Sequence, residues 1–180
     1  MAVYGPRQLA ASIRTVREHT IKIANDIPEE QYGYRPTAES RSVEELLLHI
    51  VVLSQATRYM HEQERIRSFD QYDFGALLKR LPVQEGDRRT KGEIIALLRE
   101  EGETFSTWLE QLPIAVLEEM VRMPRGADPE TKNRFELLLG AKEHEMHHRG
   151  QLMVIERLLG IVPHLTRGRQ TRPQPAAVRA

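Results

Sequence analysis

The chain has 180 residues, a length that can bury a sizeable core within a single domain. Its 26 basic and 26 acidic residues cancel, so no net field favours DNA, RNA or an anionic membrane surface. There is no cysteine, which excludes disulfides, thiolate metal ligands and an internal thiol nucleophile together.

The first residues, MAVYGPRQLA, lack the basic start and apolar stretch of a signal peptide. The longest apolar run, LLLHIVVL at 46–53, is interrupted by a histidine and is far short of a membrane span. A soluble cytoplasmic protein is the expectation. The first amphipathic segment runs from about Pro6, a good first-turn residue, to about Asp26. Within it Ile13, Val16, Thr20, Ile23 and Ile27 recur at alternating spacings of three and four, which is helical. The turn IPEEQYGYRPTAES follows, and Ser42-Val43-Glu44-Glu45 then fits a capping box that opens a second helix to about Glu64. SFDQYDFGALLKRL is compatible with a short helix before PVQEGDRR turns. Thr90-Lys91-Gly92-Glu93 is another possible box, opening a third helix to about Leu112. After a short apolar piece around 114–123, PRGADPE is a turn, and a fourth helix runs from about Asn133 to Leu159 and stops at Gly160.

Four long helices and no convincing alternating strand predict an all-α four-helix bundle with short connecting helices, occupying residues 1–163. Spacing does not supply the order of the helices around it. The stretch from His164 to Ala180 has four arginines, two prolines and no acid, and reads as a mobile, solvated tail.

Histidines are concentrated in HEMHH at 144–148. His144 and His148 lie one helical turn apart, about 40° from each other around the axis, which is how a helix offers two imidazoles to one metal ion. His147 points aside. The same face carries Leu137, Gln151, Leu152, Ile155 and Leu159, so the pair is expected to look into the core. Gly140 precedes His144 by one turn. Because helical side chains lean toward the N-terminus, a glycine there leaves space beneath the ring. Gly140 and Gly150 each cost about 1 kcal/mol in a helix interior relative to alanine, and a cavity at this level would give Gly140 a reason to be there. His49 shares a stripe with Leu46, Leu53, Ala56 and Met60 on the second helix. A lone buried histidine is more often a hydrogen-bonded core residue than a ligand. Two inward ones, neutral and without a shared partner, strain the hydrogen-bond accounting, and a cation relieves it. Spacing leaves both His49 and His19 as candidates for a third ligand.

HEMHH also satisfies the zinc-protease pattern H-E-x-x-H, with Glu145 as its general base. A metzincin needs glycine and histidine where Gln151 and Val154 stand, and no glutamate follows on a further helix. A ferritin-like di-iron site needs two Glu-x-x-His motifs, and only one is present.

YRPTAESRSVEELLLHI at 34–50, together with HEMHHRGQL at 144–152, resembles the DinB/YfiT-like superfamily of metal-dependent enzymes. The resemblance covers nearly the whole chain. It implies a four-helix bundle of unusual helix order, often a homodimer, with a divalent metal on His49, His144 and His148. Some members are thiol S-transferases or isomerases that use a low-molecular-weight thiol as cosubstrate. Three neutral imidazoles would leave the ion its full charge and an open position, where an arriving thiol or water gives up its proton. The expectation is therefore transfer of a small thiol to an electrophilic small-molecule substrate. The alternatives are a metal-dependent hydrolase and a non-catalytic metal-binding or stress protein. Zinc or nickel suits the donors best, and iron, manganese and cobalt are compatible. Glu45, one turn before His49, and Gln151 are the candidates for orienting the ligands; Glu45 has a competing use in the capping box.

Overall fold

The computed structural model describes residues 4–170. In chain order its helices are α1 (Pro6–Asp26), α2 (Val43–Arg58), α3 (Phe74–Arg80), α4 (Lys91–Glu110), α5 (Ile114–Leu117), α6 (Arg134–Leu158) and α7 (His164–Gln170). The long ones, α1, α2, α4 and α6, make the bundle. Their starts are local chemistry. Ser42 and Glu45 exchange the two hydrogen bonds of a capping box at the head of α2. Thr90 with Glu93 does the same for α4, and Asn133 with Glu136 for α6. Beyond α6, Gly160 takes the left-handed conformation (φ 76°) that a side chain resists. The expected run of α2 to Glu64 changes its winding, because residues Tyr59–Gln63 form a π-helical turn.

Two features depart from the sequence reading. β1 (Met120–Arg122) pairs antiparallel with β2 (Thr131–Asn133) around the PRGADPE turn. Three residues per strand are too few to show an alternating pattern. Residues 164–170, assigned to the mobile tail by composition, form α7, where His164 Nε2 lies 3.2 Å from His19 Nδ1. The rest of that tail, 171–180, lies outside the described residues. Among the described residues no helix is long and apolar enough to cross a membrane.

Helix order is the decisive tertiary fact. α1 packs against α4 and α6, and α2 packs against the same two. Around the bundle the order is therefore α1, α4, α2, α6, and the consecutive helices α1 and α2 lie on a diagonal. The linker at 27–42 makes that crossing, and it brings α2 beside α6.

Apolar side chains gather in two clusters, one with Leu9, Ile13, Phe105, Leu109 and Leu138, the other with Ile23, Leu47, Leu48, Leu98 and Leu152. A buried polar layer lies between them along α1, α2, α4 and α6. Arg17 donates to both carboxylate oxygens of Glu145 at 2.8 and 3.0 Å, to Ser54 Oγ at 2.7 Å and to the Leu98 carbonyl at 2.8 Å. Thr20 Oγ1 donates to the same carboxylate at 2.8 Å. Such a pair stands in a core only when its hydrogen-bonding groups are satisfied, as here. Gly102 permits it: a Cβ at that position would fall 2.6 Å from Arg17 Cγ.

Candidate metal centre

Because α2 lies beside α6, His49 faces the histidines of α6 across one groove. His144 Nε2 is 3.0 Å from His49 Nε2 and 2.6 Å from His148 Nε2. One nitrogen from each of the three residues lies within 4.8 Å of the others. His19 is elsewhere, against His164. His61 is also apart, accepting a 2.6 Å hydrogen bond from Arg134 Nη1 at its Nδ1.

The centre lies at the mouth of the groove. His49 and His148 are 8% and 5% exposed, whereas His144 is an exposed residue. The expectation that both α6 histidines look into the core holds for His148 only. His144 stands at the rim with its Nε2 against Nε2 of the other two, so solvent reaches the cluster from the His144 side.

Two of the rings, His144 and His148, are held toward the neutral form. Although His144 is exposed as a whole residue, the desolvation of its ring against the groove, and then the neighbouring His148 and His49, bring its imidazole down to about 4 from its ordinary 6.5. Burial likewise lowers His148, against the opposing hydrogen bond that its Nδ1 donates to Gln151 Oε1. Arg41 contributes to both shifts, so its charge reaches the site.

The proton positions decide what neutral rings can do. Glu85 Oε1 lies 2.5 Å from His49 Nδ1, and Gln151 Oε1 lies 2.8 Å from His148 Nδ1. Each oxygen is an acceptor, which places a ring proton on Nδ1; a ring that carries only that proton keeps its Nε2 lone pair for the centre. His144 has one ring proton and two Nε2 neighbours. Between neutral rings a proton on His144 Nε2 can be directed at only one neighbour and leaves the other lone pair without a donor, whereas a proton on Nδ1 sets lone pairs against each other in both contacts. A cation between the three nitrogens removes that conflict, and imidazole donors with outer hydrogen bonds to carboxylate and amide oxygens suit one. The residues present fit a divalent metal ion.

The outer partners were only half legible. Gln151 is one of the two anticipated residues, and its amide also reaches His147 Nε2 at 3.1 Å on the exposed flank. Glu45 does not touch His49: it closes the cap on the Ser42 amide at 3.0 Å and pairs with Arg35. Glu85 takes the orienting role instead, from the PVQEGDRR turn. Burial pushes its carboxyl up, but the bonds and charges of His49 and Arg41 together hold it below the usual range. Arg41 Nε donates to its other oxygen at 3.0 Å. No spacing rule links residue 85 to residue 49. Glu145, the general base that H-E-x-x-H would require, is locked in the buried layer by Arg17 and Thr20. That removes the protease reading on structural grounds as well.

Two cavities adjoin the centre. One of about 750 Å³ is lined by Arg35, Arg41, Leu46, Gln151 and Ile155, among others. A second, of about 340 Å³, is lined by residues including Leu53, Phe74, Gly140 and His144, which is the space anticipated beneath the His144 ring.

Comparison with known proteins places the fold. The protein YjoA of Bacillus subtilis is 28% identical over 156 residues, spanning 85% of this chain and 90% of that one. Its crystal structure, described as that of a DinB-like protein, superposes with a TM-score of 0.62 at 25% identity, covering 85% and 92% of the two chains. YfiT, also from Bacillus subtilis, matches with a TM-score of 0.65 at 13% identity over 89% and 91% of the chains. It is described as a probable metal-dependent hydrolase with an unusual four-helix bundle topology. The family model of the DinB family matches residues 1–175, nearly the whole chain, and this chain therefore belongs to the DinB family.

Proposed function

We propose that the protein is a metal-dependent enzyme whose centre, His49, His144 and His148, activates a small thiol for transfer to an electrophilic substrate. One observation carries the metal assignment: Nδ1 of His49 and of His148 face Glu85 and Gln151, and their Nε2 atoms converge on His144 Nε2. A divalent cation held there supplies Lewis acidity, which lowers the pKa of a thiol or water that reaches it. The chain's own residues do the rest. Glu85 and Gln151 fix the two buried rings. His144, at the rim, keeps the open side accessible. The absence of cysteine leaves that side to an incoming thiol. A hydrolase is the second reading, favoured by the likeness to YfiT and its description as a probable metal-dependent hydrolase.

Metal analysis of protein purified without an affinity tag tests the centre. Alanine at His49, His144 or His148 should cut metal content sharply, and alanine at His147 or His61 should leave most of it. Stoichiometric metal in a His144→Ala, His148→Ala double variant would refute the assignment. The cobalt form tests the chemistry. Cysteine, glutathione, mycothiol and bacillithiol are titrated against it, and at least one should raise an intense charge-transfer band that weakens at low pH. If none does at about millimolar concentration, the thiol reading gives way to hydrolysis.

A further inference from the structure

The groove between α2 and α6 differs in chemistry on the two sides of the histidines. Leu46, one turn before His49, lines the larger cavity with Gln151, one turn after His148. Leu53 and Thr57, after His49, line the smaller cavity with Gly140, one turn before His144. The two helices run antiparallel, so the histidines stand between the two cavities.

In the larger cavity most charges are already matched. Glu45 holds the cap and pairs with Arg35, and Arg35 also donates to the Ser40 carbonyl at 2.6 Å. Arg41 differs. Its Nε is bound to Glu85, but among the described residues its two terminal amino groups make no hydrogen bond, and its side chain is 43% exposed. It therefore offers a planar pair of donors beside the metal centre, a geometry that matches a carboxylate. Glu39 and Glu45 on the same walls disfavour a doubly charged phosphate.

The smaller cavity is walled mostly by apolar groups: Ile50, Leu53, Phe74 and Ala141, with the methyl-bearing Thr57. It reaches the helix backbone because residue 140 has no side chain. A Cβ there would meet nothing within 4 Å, so packing does not require glycine. Helix propensity argues against it. An occupant of the cavity accounts for a residue that the fold alone would replace.

We infer that the substrate has two unlike ends: a carboxylate held by the terminal amino groups of Arg41, and a small apolar group lodged beside Gly140, with the reacting bond between them at the histidines. The inference rests on the metal-centre reading for the position of that bond, but the two ends are recognised by the chain's own residues.

N-acylglycines are suitable probes, with the carboxylate at one end and an acyl chain of adjustable length at the other. Calorimetry with acetyl-, butanoyl- and hexanoylglycine, on both metal-free and zinc-loaded protein, measures each end separately. Affinity should rise about fourfold for each added methylene. The neutral amide of hexanoylglycine should bind at least about tenfold more weakly than the acid. Gly140→Leu should melt no lower than the native protein, lose the chain-length gradient and keep the acid–amide difference. Arg41→Gln should do the reverse, and its effect in the metal-free protein separates anion binding from any disturbance of Glu85 and the metal. A flat chain-length series, a gradient that survives Gly140→Leu, or equal binding of acid and amide would overturn the inference. Zinc bound at the histidines without these gradients would leave the metal reading standing alone. The gradients in a protein that takes up no zinc would support the ligand class and refute the metal reading.

Discussion

Gly102 and Gly140 lie in the interiors of two bundle helices, and the same substitution should act in opposite directions at them. At Gly102 an alanine methyl would sit 2.6 Å from Arg17 Cγ and 3.1 Å from Arg17 Nη1. The nearest atom belongs to the stem of a side chain pinned at its far end by Glu145, Ser54 and the Leu98 carbonyl, so it cannot swing away cheaply. Relief of the clash displaces the guanidinium and leaves the Glu145 carboxylate buried without its partner, at a cost of about 3–5 kcal/mol. Alanine returns about 1 kcal/mol of helix propensity. The net loss of about 3 kcal/mol corresponds to a fall in melting temperature of about 6–12 °C for a domain of this size. At Gly140 a Cβ meets nothing, so alanine keeps only the propensity gain and should raise the melting temperature by about 2–4 °C. Thermal unfolding of both variants, checked by urea titration, measures the two shifts. A Gly102→Ala protein as stable as the native one would refute the account of the buried layer.

Removing the Glu85 carboxylate (Glu85→Ala) should weaken zinc binding about 10–100-fold, because His49 loses the acceptor that fixes its tautomer. Glu45→Ala should cost about 1 kcal/mol of stability through the cap and leave zinc affinity unchanged; competition with a chelator reads both. Stripping the metal should lower the melting temperature yet keep the helical circular dichroism, since the two apolar clusters hold the bundle without an ion. Loss of that signal would make the site structural. His61, 6% exposed and held at about 4 by burial and then by Arg134, refuses a proton that the unfolded chain accepts below its ordinary 6.5. Stability should therefore fall as pH drops from 6.5 toward 4, with His61 contributing about 2 kcal/mol of loss by pH 5. Urea unfolding at pH 6.5 and 5 of the native protein and of His61→Gln should differ by that amount; equal pH dependence would refute the assignment.

The local steps were readable in the residues. Pro6, the Ser42 and Thr90 boxes, and Gly160 mark helix ends through hydrogen bonds and backbone conformations that span only a few positions. The one-turn spacing of His144 and His148 is equally local, and so was the space above Gly140. The hairpin at 120–133 escaped because strands of three residues carry too little pattern. Likewise α7 escaped because its composition resembles a solvated terminus.

By itself the sequence determined where the four bundle helices start and, for all but α2, where they stop, and that one of them presents two imidazoles on one face. Tertiary structure decided the rest of the site. The diagonal placement of α1 and α2 set His49 across from His144 and His148, although periodicity left it level with His19. Docking of the turn after α3 chose Glu85 over Glu45 as the partner of His49, and Arg17 took Glu145 out of reach of the centre. The physical reason is the range of the interactions. Caps and helical facing act over a few residues, whereas these contacts join residues 36, 95 and 128 positions apart and leave no period in the chain.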